Sequence, residues 1–298
     1  MRRSPWLVSL APAFVLTAAA LAQPDPSQVE LKTEKVADGI YMVSGGGGNV
    51  GVSAGEDGVF LIDDQYAPLT EKLTAAVAAI SHRPIRFVLN THWHDDHTGG
   101  NENLGKKGTL IVAHDNVRKQ MSVDHFLAAF NMEVKAAPPA ALPVVTFNDA
   151  VTFHLNGQEI HAFHVEPAHT DGDSIVHFRK ANVIHMGDVF FNGLYPFIDT
   201  SVGGNADGVI AAAEAVLAMA DDDTRIMPGH GPVSGKAELA AYVEMLRGVR
   251  DAVAVLVAAG KSREEAVAAK PTAPWDEKWG KGFLPPDVFA GIVYDGLK

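Results

Sequence analysis

The stretch Asn90-Thr91-His92-Trp93-His94-Asp95-Asp96-His97-Thr98-Gly99-Gly100 packs three histidines and two aspartates into six residues, directly after the apolar run Ile85-Arg86-Phe87-Val88-Leu89. Imidazole nitrogen and carboxylate oxygen are ligands that zinc accepts at close quarters. Alternate positions of an extended segment share a side, so His92 and His94 face one point, and a turn beyond them aims Asp96 and His97 at a neighbouring point. The segment reads as two half-built metal sites that need ligands from elsewhere. The competing reading is a polar loop rich in histidine by accident. With 13 histidines in 298 residues, three of them in a window of six, interleaved with aspartates, are hard to reach by chance.

The missing ligands have candidates at the ends of other apolar runs. Ile160 to Val165 leads to His169, Val183 to Met186 leads to Gly187-Asp188, and Arg225 to Met227 leads to Pro228-Gly229-His230-Gly231. Strand ends at one rim of a sheet converge, and loops held there position catalytic groups. Any one of these residues taken alone would be structural more often than functional. Together they supply what the first cluster lacks.

The elements that must hold these groups follow from periodicity. Gly39 to Val43, Val50 to Ala54 and Val59 to Ile62 are short β-type runs separated by glycines, as in an antiparallel meander. The tetraglycine Gly45 to Gly48 fits a hairpin loop; no Lys-Ser or Lys-Thr follows it as in a phosphate-binding loop. Leu69, Leu73, Ala76, Val77 and Ile80 predict a helix over 67–80, and Pro84 precedes the strand that delivers the cluster. Gly99-Gly100 lets the backbone leave the cluster tightly, and a strand at Leu110 to Ala113 precedes a helix near 116–121. Residues 122–143, with three prolines and weak periodicity, read as a surface loop with some helix. Strands are expected at 144–147, 151–155, 159–166, 174–178, 183–186 and 225–227. Helices are expected at 206–219 and 236–259, and from Ser262, where Glu265 completes a capping box. Trp275, Trp279, Phe283 and Phe289 in the tail read as anchors that cover the core.

Composition narrows the function. At 47% hydrophobic and 20% charged, the chain can bury a large core. Its net charge of −12 repels phosphate backbones, which argues against a nucleic-acid partner and for a small-molecule substrate. The basic start Arg2-Arg3, the apolar stretch Trp6 to Leu21 and the small residues Ala20-Leu21-Ala22 have the layout of a secretory signal peptide over residues 1–22. The apolar stretch is short for a bilayer span, so a stable membrane anchor is not expected. The mature chain is then periplasmic or secreted, with residues 23–298 as one domain ending in a helical extension. Cysteine is absent, which removes disulfides and thiolate ligands.

His92-Trp93-His94-Asp95-Asp96-His97, Ala168-His169-Thr170-Asp171-Gly172-Asp173-Ser174, Gly187-Asp188 and Pro228-Gly229-His230-Gly231 resemble the successive motifs of the metallo-β-lactamase superfamily, from about residue 36 to 235. The resemblance implies an α/β fold, an αβ/βα four-layer sandwich of two mixed sheets flanked by helices. It implies two Zn²⁺ ions, one held by His92, His94 and His169 and the other by Asp96, His97 and His230, with Asp188 bridging them. A hydroxide shared by the ions would be the nucleophile, and Asp96 would orient it and pass a proton to the leaving atom. His94, where a carboxylate would suit di-iron relatives, favours zinc. Zinc β-lactamases typically carry cysteine or serine where this chain has Asp188, whereas glyoxalase II and lactonase relatives carry aspartate. The leader, with no recognisable glutathione-binding segment in the tail, points away from a cytosolic thioesterase. The first expectation is therefore an exported hydrolase opening cyclic amides or esters. The second is an acyclic ester or thioester hydrolase, and a third, of another class, is a non-catalytic periplasmic zinc-binding protein. Asp95 is expected to orient neighbours rather than ligate. Trp93, Phe190, Phe191 and Tyr195 either wall the pocket or pack in the core, Thr170 and Ser174 support their loop through backbone hydrogen bonds, and the remaining histidines are structural.

Overall fold

The computed structural model describes residues 25–298; the leader expected at residues 1–22 lies outside them. A first sheet opens with four antiparallel strands, β1 (Lys32–Ala37), β2 (Ile40–Gly45), β3 (Gly47–Gly55) and β4 (Gly58–Ile62). Helix α1 (Thr70–Ile80) then carries the chain across to β5 (Ile85–Leu89), which lies parallel to β4. A parallel neighbour needs a crossover of about a dozen residues or more, and α1 with its flanks provides it. Two short helices, α2 (Asp95–Thr98) and α3 (Asn101–Gly105), lead to β6 (Leu110–His114) and α4 (Asp115–Met121).

Residues 122–143 have the expected helix as single turns at Ala128–Phe130 and Pro139–Ala141, and depart from the expected loop in one respect. They contain a hairpin of β7 (His125–Leu127) and β8 (Met132–Val134). Each arm has three residues, too few to show alternation, so the sequence carries no strand signal there. Strand β9 (Val145–Phe147) returns to the first sheet beside β6.

The second sheet is built from β10 (Ala150–Leu155), β11 (Gln158–His164), β12 (Ser174–Phe178) and β13 (Val183–His185), all antiparallel. Helix α5 (Ala206–Met219) crosses to β14 (Arg225–Met227), parallel to β13. Helices α6 (Lys236–Ala258), α7 (Arg263–Ala268), α8 (Asp276–Trp279) and α9 (Pro286–Gly296) complete the chain. The capping box forms as expected: Glu265 N donates to Ser262 Oγ at 3.2 Å and Ser262 N donates to Glu265 Oε2 at 2.9 Å. Among the described residues, no helix is long and apolar enough to cross a membrane.

Alternation along the strands builds four layers. Ile40, Met42, Phe60 and Ile62 face Ile160, Ala162, Val176 and Phe178 between the sheets. Their neighbours Val43, Val59 and Leu61 turn outward onto Leu73 and Val77 of α1. On the far side, Ile175, Ile184 and Ile226 pack under α5, α6 and α9. The result is helix, sheet, sheet, helix, with every strand end at one rim facing the same space.

Phe60 is fully buried between the sheets and meets Phe153 edge-on with ring centroids 4.9 Å apart. Phe60→Ala should destabilise the protein by about 3–5 kcal/mol. A denaturant midpoint unchanged from wild type would show that this layer does not hold the sheets together.

Candidate metal centre

The end of β5 and the turn of α2 place His92, His94, Asp96 and His97 at that rim. The loop after β11 brings His169, the turn after β13 brings Asp188, and the loop after β14 brings His230. Ligand-type atoms of His92, His94, His169 and Asp188 lie within 4.8 Å of one another, as do those of Asp96, His97 and His230. All seven residues expected from the sequence are therefore gathered into two adjoining groups, with Asp188 in the group of His92, His94 and His169. Asp188 Oδ2 stands 3.8 Å from His92 Nε2, 3.6 Å from His169 Nε2 and 3.4 Å from His230 Nε2, so it faces both.

Hydrogen bonds behind the imidazoles decide which nitrogen points inward. His97 Nδ1 lies 2.7 Å from Asp63 Oδ2 and His169 Nδ1 lies 2.7 Å from the Phe197 carbonyl, so each Nδ1 carries the proton and donates it. His94 Nε2 lies 3.1 Å from Asp199 Oδ2 and donates there. Thr91 donates its hydroxyl to Asp63 Oδ2 at 2.8 Å, leaving its oxygen to accept from His92 Nδ1 at 3.0 Å. Each of these rings is thus locked with its other nitrogen turned into the site, where a metal would find a lone pair once any proton there is displaced. His169 Nε2 and His94 Nδ1 are 2.9 Å apart, so two inward-facing ring nitrogens meet at close range. His92 Nε2 and Asp188 Oδ1 are buried without a hydrogen-bond partner; His97 Nε2, 3.0 Å from that oxygen, does not meet it in hydrogen-bonding geometry. Lone pairs crowded in this way fit divalent cations, and the nitrogen and oxygen donors suit zinc.

The charges divide along the same line. Burial pushes His92 well below the usual imidazole range and His169 down to about 4, so these rings are neutral. For His97 and His230, burial is outweighed by carboxylates. Asp188, Asp96 and Asp63 hold His97 well above its usual range, and Asp188 and Asp96 raise His230 to about 9. Burial would likewise raise Asp96 and Asp188, but the charge of His97 and His230 overrides it and keeps both carboxyls below the usual range. In the protein alone, protons take the places where cations would sit.

Glycine is required at two close approaches. A Cβ on Gly48, in the expected glycine hairpin, would overlap the His97 ring, and one on Gly229 would overlap Asp188 Oδ1. The turn of that hairpin is confined to Gly45 and Gly46, both with positive φ, while Gly47 and Gly48 belong to β3.

Two carboxylates went unnoticed in the sequence. Asp63, fully buried at the end of β4, also accepts from Thr91 N at 2.7 Å; a pair of acids, Asp63-Asp64, straight after an apolar strand was the available sign. Asp199 caps a short turn, accepting from Ser201 N at 3.1 Å, and lies 105 positions from His94, beyond any local pattern. Other expectations are sharpened. Thr170 Oγ1 donates to Asp173 Oδ1 at 2.6 Å, a side-chain bond; the Ser174 hydroxyl has no partner, although Ser174 N donates to the Thr91 carbonyl at 2.8 Å. Trp93 and Phe191 line the pocket, whereas Phe190 and Tyr195 are core residues. Phe283 is not a core anchor: it reaches the pocket, its ring centroid 6.2 Å from that of His230. His125 lies against Trp93 at 4.4 Å, and His114 stacks on His164 at 3.8 Å.

The sandwich and the ligand-bearing rim together define a class of proteins, and the sequence profile described as the metallo-beta-lactamase superfamily matches residues 43–230. The chain belongs to this superfamily. It is 29% identical over 165 residues to a hydroxyacylglutathione hydrolase of Polaromonas sp., covering 55% of each chain. It is 24% identical to a metallo-beta-lactamase type 2 of Bacteroides fragilis, covering 60% of this chain and 70% of that one. The chain spans about half the length of the hydroxyacylglutathione hydrolases it matches. In structure it resembles a metallo-beta-lactamase from Pontibacter korlensis with a TM-score of 0.59 at 20% identity, covering 73% of this chain and 99% of that one.

Asp199→Ala should leave His94 free to rotate and weaken zinc binding at the first candidate site about 10–100-fold. Competition with a chromophoric zinc chelator measures this, and wild-type affinity in the variant would remove Asp199 from that role. The protonation pattern also fixes a pH profile for the chelator-treated protein. His169 is depressed from 6.5 to about 4, so its contribution is present above 6.5 and lost as pH falls toward 4. His230 is raised from 6.5 to about 9, so its contribution is present below 6.5 and lost as pH rises toward 9. Zinc must displace the protons of the second group, so the rise in Tm on adding zinc should be larger at pH 8.5 than at pH 6. Equal rises in thermal scans would contradict the assignment.

Proposed function

We propose that this protein is an exported dinuclear zinc hydrolase that opens cyclic amides or esters of small molecules. The observation that carries the reading is the set of inward lone pairs at the base of an open cavity of about 490 Å³. A structural metal site would be closed; here His94, Asp96, Asp188 and His230 line the cavity, leaving room for a reactant. Two bound zinc ions would acidify a water molecule to a pKa of about 7 and polarise a carbonyl.

The residues supply the remaining tasks. Asp96 Oδ2 lies 3.3 Å from His230 Nε2, and its carboxylate is partly open to the cavity. Held ionised, it can orient the attacking water, take its proton and deliver that proton to the leaving nitrogen or oxygen as the carbonyl-carbon bond to that atom breaks. The products are then a carboxylate and an amine or alcohol. Asp63, Phe197 and Asp199 keep the imidazoles aimed throughout, so little rearrangement accompanies the reaction. Trp93, Phe191 and Phe197 restrict bulk water around the carbonyl.

A second reading, hydrolysis of an acyclic ester or thioester, is favoured by Asp188 and by the hydroxyacylglutathione hydrolase relatives. Export and a periplasmic or secreted location rest on the signal-like residues 1–22.

Zinc-loaded protein should hydrolyse a lactone such as dihydrocoumarin or the β-lactam nitrocefin faster than S-lactoylglutathione. Activity should vanish on chelation and return with zinc, and Asp96→Asn should lower kcat by about 10²–10⁴-fold. Turnover of S-lactoylglutathione alone would establish the second reading. Inactivity on all three substrates would leave a zinc-binding protein without this catalysis.

A further inference from the structure

The cavity has an arrangement of aromatic rings and charge that narrows what it can hold. Two aromatic pairs line the cavity beside the ligand groups. Phe130 and Phe197 lie with ring centroids 4.7 Å apart, and Phe197 is 5.6 Å from the ring of His94 in the first ligand group. Phe191 and Phe283 lie 6.2 Å apart; Phe191 stacks on His230 of the second group at 4.9 Å, with Phe283 at 6.2 Å. Phe130 and Phe197 thus flank the first group and Phe191 and Phe283 the second, with Phe191 also reaching His169 at 6.2 Å. A carbonyl placed between the groups would project its acyl part toward one pair and its leaving part toward the other.

Away from the ligand groups the polar lining is short of cations. It contains Asp95 and Glu133, and among the described lining residues Lys135, on the β7–β8 hairpin, is the one lysine or arginine. Lys135 Nζ lies 3.1 Å from Asp124 Oδ2 and 3.1 Å from Glu133 Oε2, so two carboxylates already share its charge. A ligand whose carboxylate lies away from the ligand groups would approach against the field of a chain with net charge −12 and meet Asp95 and Glu133 but no unshared guanidinium or ammonium among the described lining residues. Aromatic walls with few polar groups select for shape and apolar surface.

We infer that the substrate is an uncharged ester or lactone with apolar groups on both sides of the carbonyl, and without a carboxylate. This rests on the hydrolase reading above and narrows it. It ranks carboxylate-bearing β-lactams and glutathione thioesters below neutral esters and lactones.

Two matched esters test the inference: p-nitrophenyl hexanoate and mono-p-nitrophenyl adipate, which differ only in a terminal methyl against a carboxylate. With zinc-loaded protein, and after correction for spontaneous hydrolysis, kcat/KM should favour the hexanoate by about tenfold or more. Glu133→Lys, which adds a cation at the rim, should reduce that preference, and Phe283→Ala should raise KM for the hexanoate. Equal or faster turnover of the adipate overturns the inference and leaves the hydrolase reading standing. If neither ester is hydrolysed, turnover of acyclic esters is excluded, dihydrocoumarin decides the cyclic hydrolase reading, and binding decides the substrate class separately. Calorimetry with N-phenylhexanamide and N-phenyladipamic acid should show the neutral amide binding more tightly; equal or tighter binding of the acid overturns the inference.

Discussion

Lone pairs turned toward one another in a place that water barely reaches are the constraint on which this structure depends. A buried acceptor without a donor costs about 1–3 kcal/mol, and His92 Nε2 and Asp188 Oδ1 are two such atoms within one shell. The protein could have relieved this by letting an imidazole flip. It prevents that with Asp63, Thr91, Asp199 and the Phe197 carbonyl, each of which fixes the outer nitrogen of one ring. Stability is thereby spent on a geometry that only a cation, or a proton standing in for one, can satisfy.

The sandwich supplies the rigidity for this crowding. The candidate ligands come from the ends of β5, β11, β13 and β14, in two sheets whose apolar faces are pressed together by Phe60, Ile62, Val176 and Phe178. Because the sheets are locked by packing, the loops at the rim need to control only the last few ångströms. Small residues do that where a side chain would collide: Gly48 gives way to His97, and Gly229 to Asp188.

Much of this centre was legible in the sequence because ligands at close spacing or at strand ends leave a local trace. His92 to His97 are readable as chemistry on their own, and His169, Asp188 and His230 become readable once each is seen to follow an apolar run. The fold class followed from the same ordered motifs. What escaped has no local trace. Asp199 acts on a ring 105 positions away, and its neighbours Thr200 and Ser201 suggest only a turn. The β7–β8 hairpin is too short for alternation, and Phe283 owes its place at the cavity to the route of the tail around α6. Outer-layer partners and cavity walls are set by tertiary path, whereas inner ligands are set by chemistry that sequence spells out.

Asn49 shows how far such a path reaches. Its amide nitrogen donates to the carbonyls of Pro228 and Gly231 at 2.9 and 2.8 Å, its backbone nitrogen donates to Gly229 at 2.7 Å, and its own carbonyl receives His185 Nε2 at 3.2 Å. One residue of an early strand thereby grips the last ligand loop on either side of His230. The glycine hairpin just before it cannot change length without being felt 179 positions downstream. Inserting or deleting a single glycine there would slide β3 against its neighbours, turn Asn49 to the opposite face and release the His230 loop, so this ribbon serves as the gauge against which the final ligand is measured.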